Sequence, residues 1–75
     1  HYQQAVQGYH WLTTFRPDEP LPHYNLGLSL WALGRLDEAE RSFRRGLSLN
    51  YQPSTPVQGA LAQVVQGRPF QGTPP

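Results

Sequence analysis

The sequence predicts an all-α chain of about four helices arranged as antiparallel helix-turn-helix units. Three observations predict this. Apolar residues recur at three- and four-residue offsets in four stretches, breaks rich in proline or glycine separate those stretches, and part of the pattern returns thirty-four positions later.

In the first stretch, residues 2–15, Tyr2, Ala5, Val6, Tyr9, Leu12 and Phe15 share one helical face, and Pro17 stops the helix. Pro17-Asp18-Glu19-Pro20 has turn chemistry. The residue before each proline is pushed out of the α region, and Asp18 is placed to accept from N–H groups of the next helix. Pro20 and Pro22 are tolerable only in a first turn, so the second helix is expected over 20–33. It carries Leu26, Leu30 and Leu33 at helical spacing, and Gly34 follows, able to take the left-handed conformation that closes a helix.

The third helix is expected over 36–50, opening at Asp37 as cap with Glu40 as capping-box partner. Leu36, Ala39, Phe43, Gly46 and Leu47 form its apolar face, so Asn25 to Leu47 reads as an antiparallel helical hairpin. Pro53-Ser54-Thr55-Pro56 is a second break, where Thr55 as cap, Pro56 in the first turn and Gln58 as partner predict a fourth helix over 56–66. Ala60, Leu61, Val64 and Val65 are its apolar set, weakened by Gly59 at about 1 kcal/mol relative to alanine. Residues 67–75 have the composition of a flexible or extended tail.

Seventy-five residues fit one small domain, and such a chain buries only about 60% of the surface its unfolded form exposes. There is no cysteine, so neither disulfides nor thiolate zinc can staple it. Stability must come from helix packing, from neighbouring repeats or from self-association. The formal charge is +1, all six basic residues are arginine, and no general grip on nucleic acid is indicated. Apolar runs are too short for membrane insertion. The chain starts at His1 without a signal-like segment and reads as a piece of a longer one; its compartment stays open, the cytoplasm being favoured over a bacterial periplasm.

Ala5, Tyr9 and Pro17 recur thirty-four residues later as Ala39, Phe43 and Tyr51. Leu26-Gly27, Gly34, Glu38-Ala39 and Phe43 fall where a helix-turn-helix unit of this period has its Leu-Gly pair, interhelical glycine, Glu-Ala pair and packing aromatic. On these residues the chain resembles the tetratricopeptide repeat family. The resemblance implies an α-α superhelical domain over 1–66: the second helix of a partial repeat over 1–16, a full repeat over 20–53, and a terminal or capping helix over 54–66. In the partial repeat Ala5, Tyr9, Leu12 and Pro17 match the family's pattern. Gly27 and Ala39 are small where helices cross closely, and Phe43 and Tyr9 fill the wider gaps. The departures are His23 for a large aromatic, Leu30 for tyrosine, Gly46 for alanine and Tyr51 for proline. Gly46 and the absent proline predict a looser end to the repeat.

The family's arrays are interaction scaffolds, in which the first helix of each repeat lines a concave groove. The resemblance therefore places a partner-binding groove on Leu21, Tyr24, Asn25, Leu28, Trp31 and Ala32. Tyr24, Leu28 and Trp31 are expected to form an exposed strip that receives a peptide or partner helix, with Asn25 bonding the ligand backbone. The alternative is that this strip packs on a neighbouring repeat, a second protomer or the chain's own tail around Phe70. One branch of the family clamps C-terminal carboxylates; Asn25 matches one of its positions, but the basic partners are missing, with Leu21, Tyr24 and Leu28 beside it.

Two further readings compete: a self-assembly module forming a homo-oligomer, and a regulatory arm of a larger enzyme or secretion complex. No catalytic constellation, cofactor motif or metal-ligand spacing is found, so the chain is not read as an enzyme. His1, His10 and His23 lie on different segments and read as surface or interface imidazoles, and Ser42 and Ser48 as ordinary helix-surface residues. Asp37, Glu38 and Glu40 precede Arg41, Arg44 and Arg45 at helical spacing, the pattern of a solvated face with weak ion pairs.

Overall fold

A computed structural model describes residues 1–71. Its elements are α1 (Tyr2–Phe15), α2 (Pro20–Ala32), α3 (Leu36–Ser48) and α4 (Ser54–Val65), with no strand among the described residues. α2 is central: α3 packs along it most extensively, α1 packs on another side, and α4 lies mainly on α3 with a light touch on α2. This explains why α2 is apolar nearly all round, since Pro22, His23, Leu26, Gly27, Leu30 and Trp31 on several of its faces are buried.

The core joins Val6 of α1, Leu26, Leu30 and Trp31 of α2, Ala39 and Phe43 of α3, and Val57, Ala60 and Val64 of α4. Phe43 is fully buried at its centre. Its ring centroid lies 5.9 Å from that of Tyr24 and 6.3 Å from that of Trp31, the latter edge-on. Gly27 is what allows this, because a Cβ there would stand 2.6 Å from Phe43 Cε1. The ring thus rests directly on the α2 backbone.

Three helices end in the same way. After α2, Gly34 at φ +78° and Arg35 donate N–H groups to Trp31 O and Leu30 O; after α3, Asn50 at φ +69° and Tyr51 donate to Leu47 O and Gly46 O. After α4, Gly67 at φ +74° and Arg68 donate to Val64 O and Gln63 O. Each pair is a Schellman closure, which satisfies carbonyls that the helix end would leave open. The looser end expected after Gly46 is not seen: Asn50 closes α3, and the Tyr51 ring packs 4.9 Å from that of Tyr24.

The helix starts differ from expectation. α3 begins at Leu36 and α4 at Ser54, so Asp37 and Thr55 lie inside the first turn, and neither the Asp37–Glu40 box nor the Thr55 cap forms. No side-chain cap forms at the start of α2 either, which leaves Asp18 without the role expected of it. Asp37 and Glu38 still sit where the helix dipole favours negative charge. Glu40 instead accepts from Arg44 Nε at 2.9 Å, Glu38 accepts from Arg35, and Arg16 donates to Glu19 at 3.1 Å. These pairs are solvated, so each adds little to stability.

His23 is buried, not a surface imidazole. Its Nε2–H donates to Pro17 O at 3.0 Å, which ties the turn between α1 and α2 to the second helix. Ser42 is also buried, whereas Ser48 Oγ–H donates to Arg45 O on the exposed face.

Candidate functional site

The strip of Tyr24, Leu28 and Trp31 follows one face of α2, but its members meet different surroundings. Tyr24 packs on Phe43 and Tyr51. Burial raises its phenol above the ordinary value of 10, and the neighbouring Tyr51 adds to this. Trp31 is only 6% exposed, which corrects the expectation of an open aromatic anchor. What covers it is the chain's own C-terminal segment. The Trp31 indole N–H donates to Arg68 O at 2.7 Å, and the Phe70 ring stands edge-on at 5.2 Å. Of the tail expected over 67–75, Gly67 and Arg68 close α4 and Phe70 is half-buried, while residues 72–75 lie outside the described residues.

Beside Phe70 opens a cavity of about 510 Å³ between α1 and α2, lined by His1, Tyr2, Ala5, Tyr9, Asn25, Leu28, Ser29 and Phe70. Ala5, Tyr9 and Leu28 supply apolar walls. Asn25 offers a carboxamide that can both donate and accept, as a peptide backbone requires. Of the six groove residues expected, Asn25 and Leu28 line this cavity. Tyr24 and Trp31 are packed as described, Leu21 is 51% exposed, and Ala32 is half-buried away from it.

His1, Tyr2, Ala5, Tyr9, Ser29 and Phe70 are the lining residues the groove prediction missed. A signal for two of them was present. Ala5 and Tyr9 stand thirty-four residues before Ala39 and Phe43, which in the complete hairpin are fully buried. On α1 the same positions are half-buried and face the cavity.

A second surface lies at the other end of α1. Trp11 and Phe15 are 60% and 65% exposed, with ring centroids 4.5 Å apart, and flank a shallow depression with Leu12, Arg16 and Glu19. Glu38, on the exposed face of α3, has its carboxyl held below the usual carboxylate range, chiefly by the hydrogen bond from Arg35. Among the described residues no three His, Asp or Glu side chains come together as a metal site, and no helix is long and apolar enough to cross a membrane.

The thirty-four-residue offset relates α1 to α3 and α2 to α4, and the family model of the tetratricopeptide repeat matches residues 20–53, which span α2, α3 and the turn after them. Over these residues the chain is similar to a tetratricopeptide repeat. Tetratricopeptide repeats build protein–protein interaction scaffolds and are in general non-catalytic modules. The matched residues run from Pro20 to Pro53, so α1 lies before them and all of α4 after them. No curated protein and no solved structure matches the chain.

Proposed function

We propose that the chain is an interaction module that docks a peptide or partner helix in the groove between α1 and α2. The observation that carries this reading is the cavity of about 510 Å³, walled by Ala5, Tyr9 and Leu28 with Asn25 on its rim. Its size falls within the range of specific ligand sites, and a small number of polar groups on apolar walls is what fixes a ligand's orientation. Leu28 supplies contact area and Asn25 reads the ligand backbone. The outer face of α3 is covered by paired charges and serves as scaffold.

A displayed peptide library panned on the chain tests this. Ligands recovered are titrated against Leu28→Glu, Asn25→Ala and, as a distant control, Arg44→Ala. Leu28→Glu is expected to weaken binding more than tenfold, because it sets a charge against an apolar ligand group. Asn25→Ala should weaken it about fivefold, the worth of one hydrogen bond. Unchanged binding by Leu28→Glu with intact helical circular dichroism would overturn the reading.

Self-assembly is a second reading, favoured by one specific observation. α1 and α4 carry no charged residue, and α1 presents Trp11 and Phe15 to solvent. Repeat arrays ordinarily need polar outer faces on their end helices. Light scattering across a dilution series separates the two: a mass that stays that of a single chain at micromolar concentration rejects assembly.

A further inference from the structure

We infer that the segment Arg68-Pro69-Phe70 is a tethered ligand of the groove, and that the groove recognises extended peptide segments carrying an aromatic side chain two residues after a free backbone carbonyl. This rests on the groove reading above and specifies its ligand class.

The contact between the segment and the groove has three parts. The Trp31 indole N–H donates to the Arg68 carbonyl across thirty-seven positions of sequence, at 2.7 Å. This bond reads backbone, so a residue of any side chain can occupy that place. Pro69 then fixes its own φ and holds Arg68 out of the helical region, which lowers the entropy lost when the segment is ordered. Phe70 follows into the gap between two aromatic side chains. Its ring is edge-on to Trp31 at 5.2 Å and 71°, and to Tyr2 at 5.8 Å and 80°. Edge-on packing on two partners is specific to a flat ring. The filled gap forms one end of the cavity that Leu28 and Asn25 also line.

Delivery of the segment is built into α4. The Schellman closure at Gly67 turns the chain back, and Arg68 N–H is held by Gln63 O at 3.0 Å, which aims the Arg68 carbonyl at Trp31. Phe70 itself stays half-buried. It is held well enough to fill the site and openly enough to be displaced. A short tether gives an effective concentration on the order of millimolar. A contact of about 0.1 mM intrinsic strength would then hold the groove closed roughly nine-tenths of the time and weaken an external segment of the same chemistry about tenfold.

The test uses Trp31 as reporter in a chain in which Trp11→Phe removes the other indole. Phe70→Ala should red-shift Trp31 emission while helical circular dichroism is kept. A peptide of residues 66–71 added in trans should reverse the shift saturably, and the same peptide with alanine in place of its phenylalanine should not. The intact chain should bind that peptide about tenfold more weakly than the Phe70→Ala chain. Should Phe70→Ala lose helicity, Pro69→Gly, which loosens the segment without emptying the core, carries the same expectations.

Trp31 emission unchanged by these variants would overturn the inference. So would a peptide that fails to reverse the shift while library-selected ligands still bind the Phe70→Ala chain, an outcome that leaves the groove reading standing. Selected ligands indifferent to Leu28→Glu would instead sink the groove reading, whatever the tail does.

Discussion

Two buried glycines on facing helices, Gly27 of α2 and Gly46 of α3, should respond in opposite directions to the same substitution. At Gly27 a Cβ would stand 2.6 Å and 2.7 Å from Phe43 Cε1 and Cδ1. Carbon atoms in contact settle near 3.5–4.0 Å, so the ring would have to retreat by about 1 Å. It has nowhere to go, being fully buried with Tyr24 and Trp31 centroids 5.9 Å and 6.3 Å away. Overpacking of this kind costs about 1–3 kcal/mol, against about 1 kcal/mol returned by alanine's better helix propensity. Gly27→Ala should therefore destabilise by up to about 2 kcal/mol.

At Gly46 the nearest atoms to an added Cβ are Pro20 O at 3.6 Å and Tyr24 N at 3.7 Å, ordinary contact distances. Only the propensity gain remains, so Gly46→Ala should stabilise by about 1 kcal/mol. In a domain this small about 1 kcal/mol moves Tm by roughly 4–8 °C, within easy reach of thermal unfolding followed by circular dichroism. A third variant checks the mechanism. Phe43→Leu makes room beside α2, so the double change Gly27→Ala, Phe43→Leu should cost less than the sum of its parts by at least about 0.5 kcal/mol. A Gly27→Ala chain as stable as the parent, with costs that simply add, would show that the ring does not rest on the α2 backbone.

Two pH effects follow from the shifted groups. Tyr24 has a phenol raised by burial, so its contribution is complete below pH 10 and is lost as pH climbs through 10 toward the folded value; Tyr24→Phe should flatten that alkaline limb in urea titrations. Glu38 is shifted the other way by Arg35, so its contribution is present above the ordinary carboxylate range and is lost as pH falls through the lowered value; Glu38→Gln should lower stability slightly near neutrality and flatten that part of the acid limb, bringing the two chains together at low pH.

Helix positions were legible because the signals for them are local. Proline in a first turn and a left-handed glycine act within a few residues; they predicted a helix over 20–33, and α2 spans Pro20–Ala32 with Leu33 as its cap and Gly34 behind it. Caps were read less well. Asp37 and Glu40 have the right identity and spacing, but α3 winds back to Leu36, and the side chains pair with arginines instead. The groove was half legible. Family register singled out Asn25 and Leu28, both on the cavity wall, but Trp31 was expected in the open. What buries it is a contact with Arg68 and Phe70 across a tail whose composition carries no periodicity. Pairing between a helix and a remote segment depends on where the chain returns after α4, which no local pattern encodes.

The position of the cavity has a physical origin in the repeat itself. In the complete hairpin, Ala39, Ser42 and Phe43 of α3 are buried, and α2 reaches them by reducing its own side chain to Gly27. Thirty-four residues earlier, Ala5, Gly8 and Tyr9 present the same face on α1. This face is only partly covered: Ala5 and Tyr9 are half-buried, and a Cβ added at Gly8 would meet nothing within 4 Å. That face is shaped for helix packing, and Ala5 and Tyr9 lie half-buried beside the flank of α2. Leu28 and Asn25 on that flank complete the cavity wall, and Phe70 covers one end. The proposed groove thus draws on α1 for the residue types that build the core on α3.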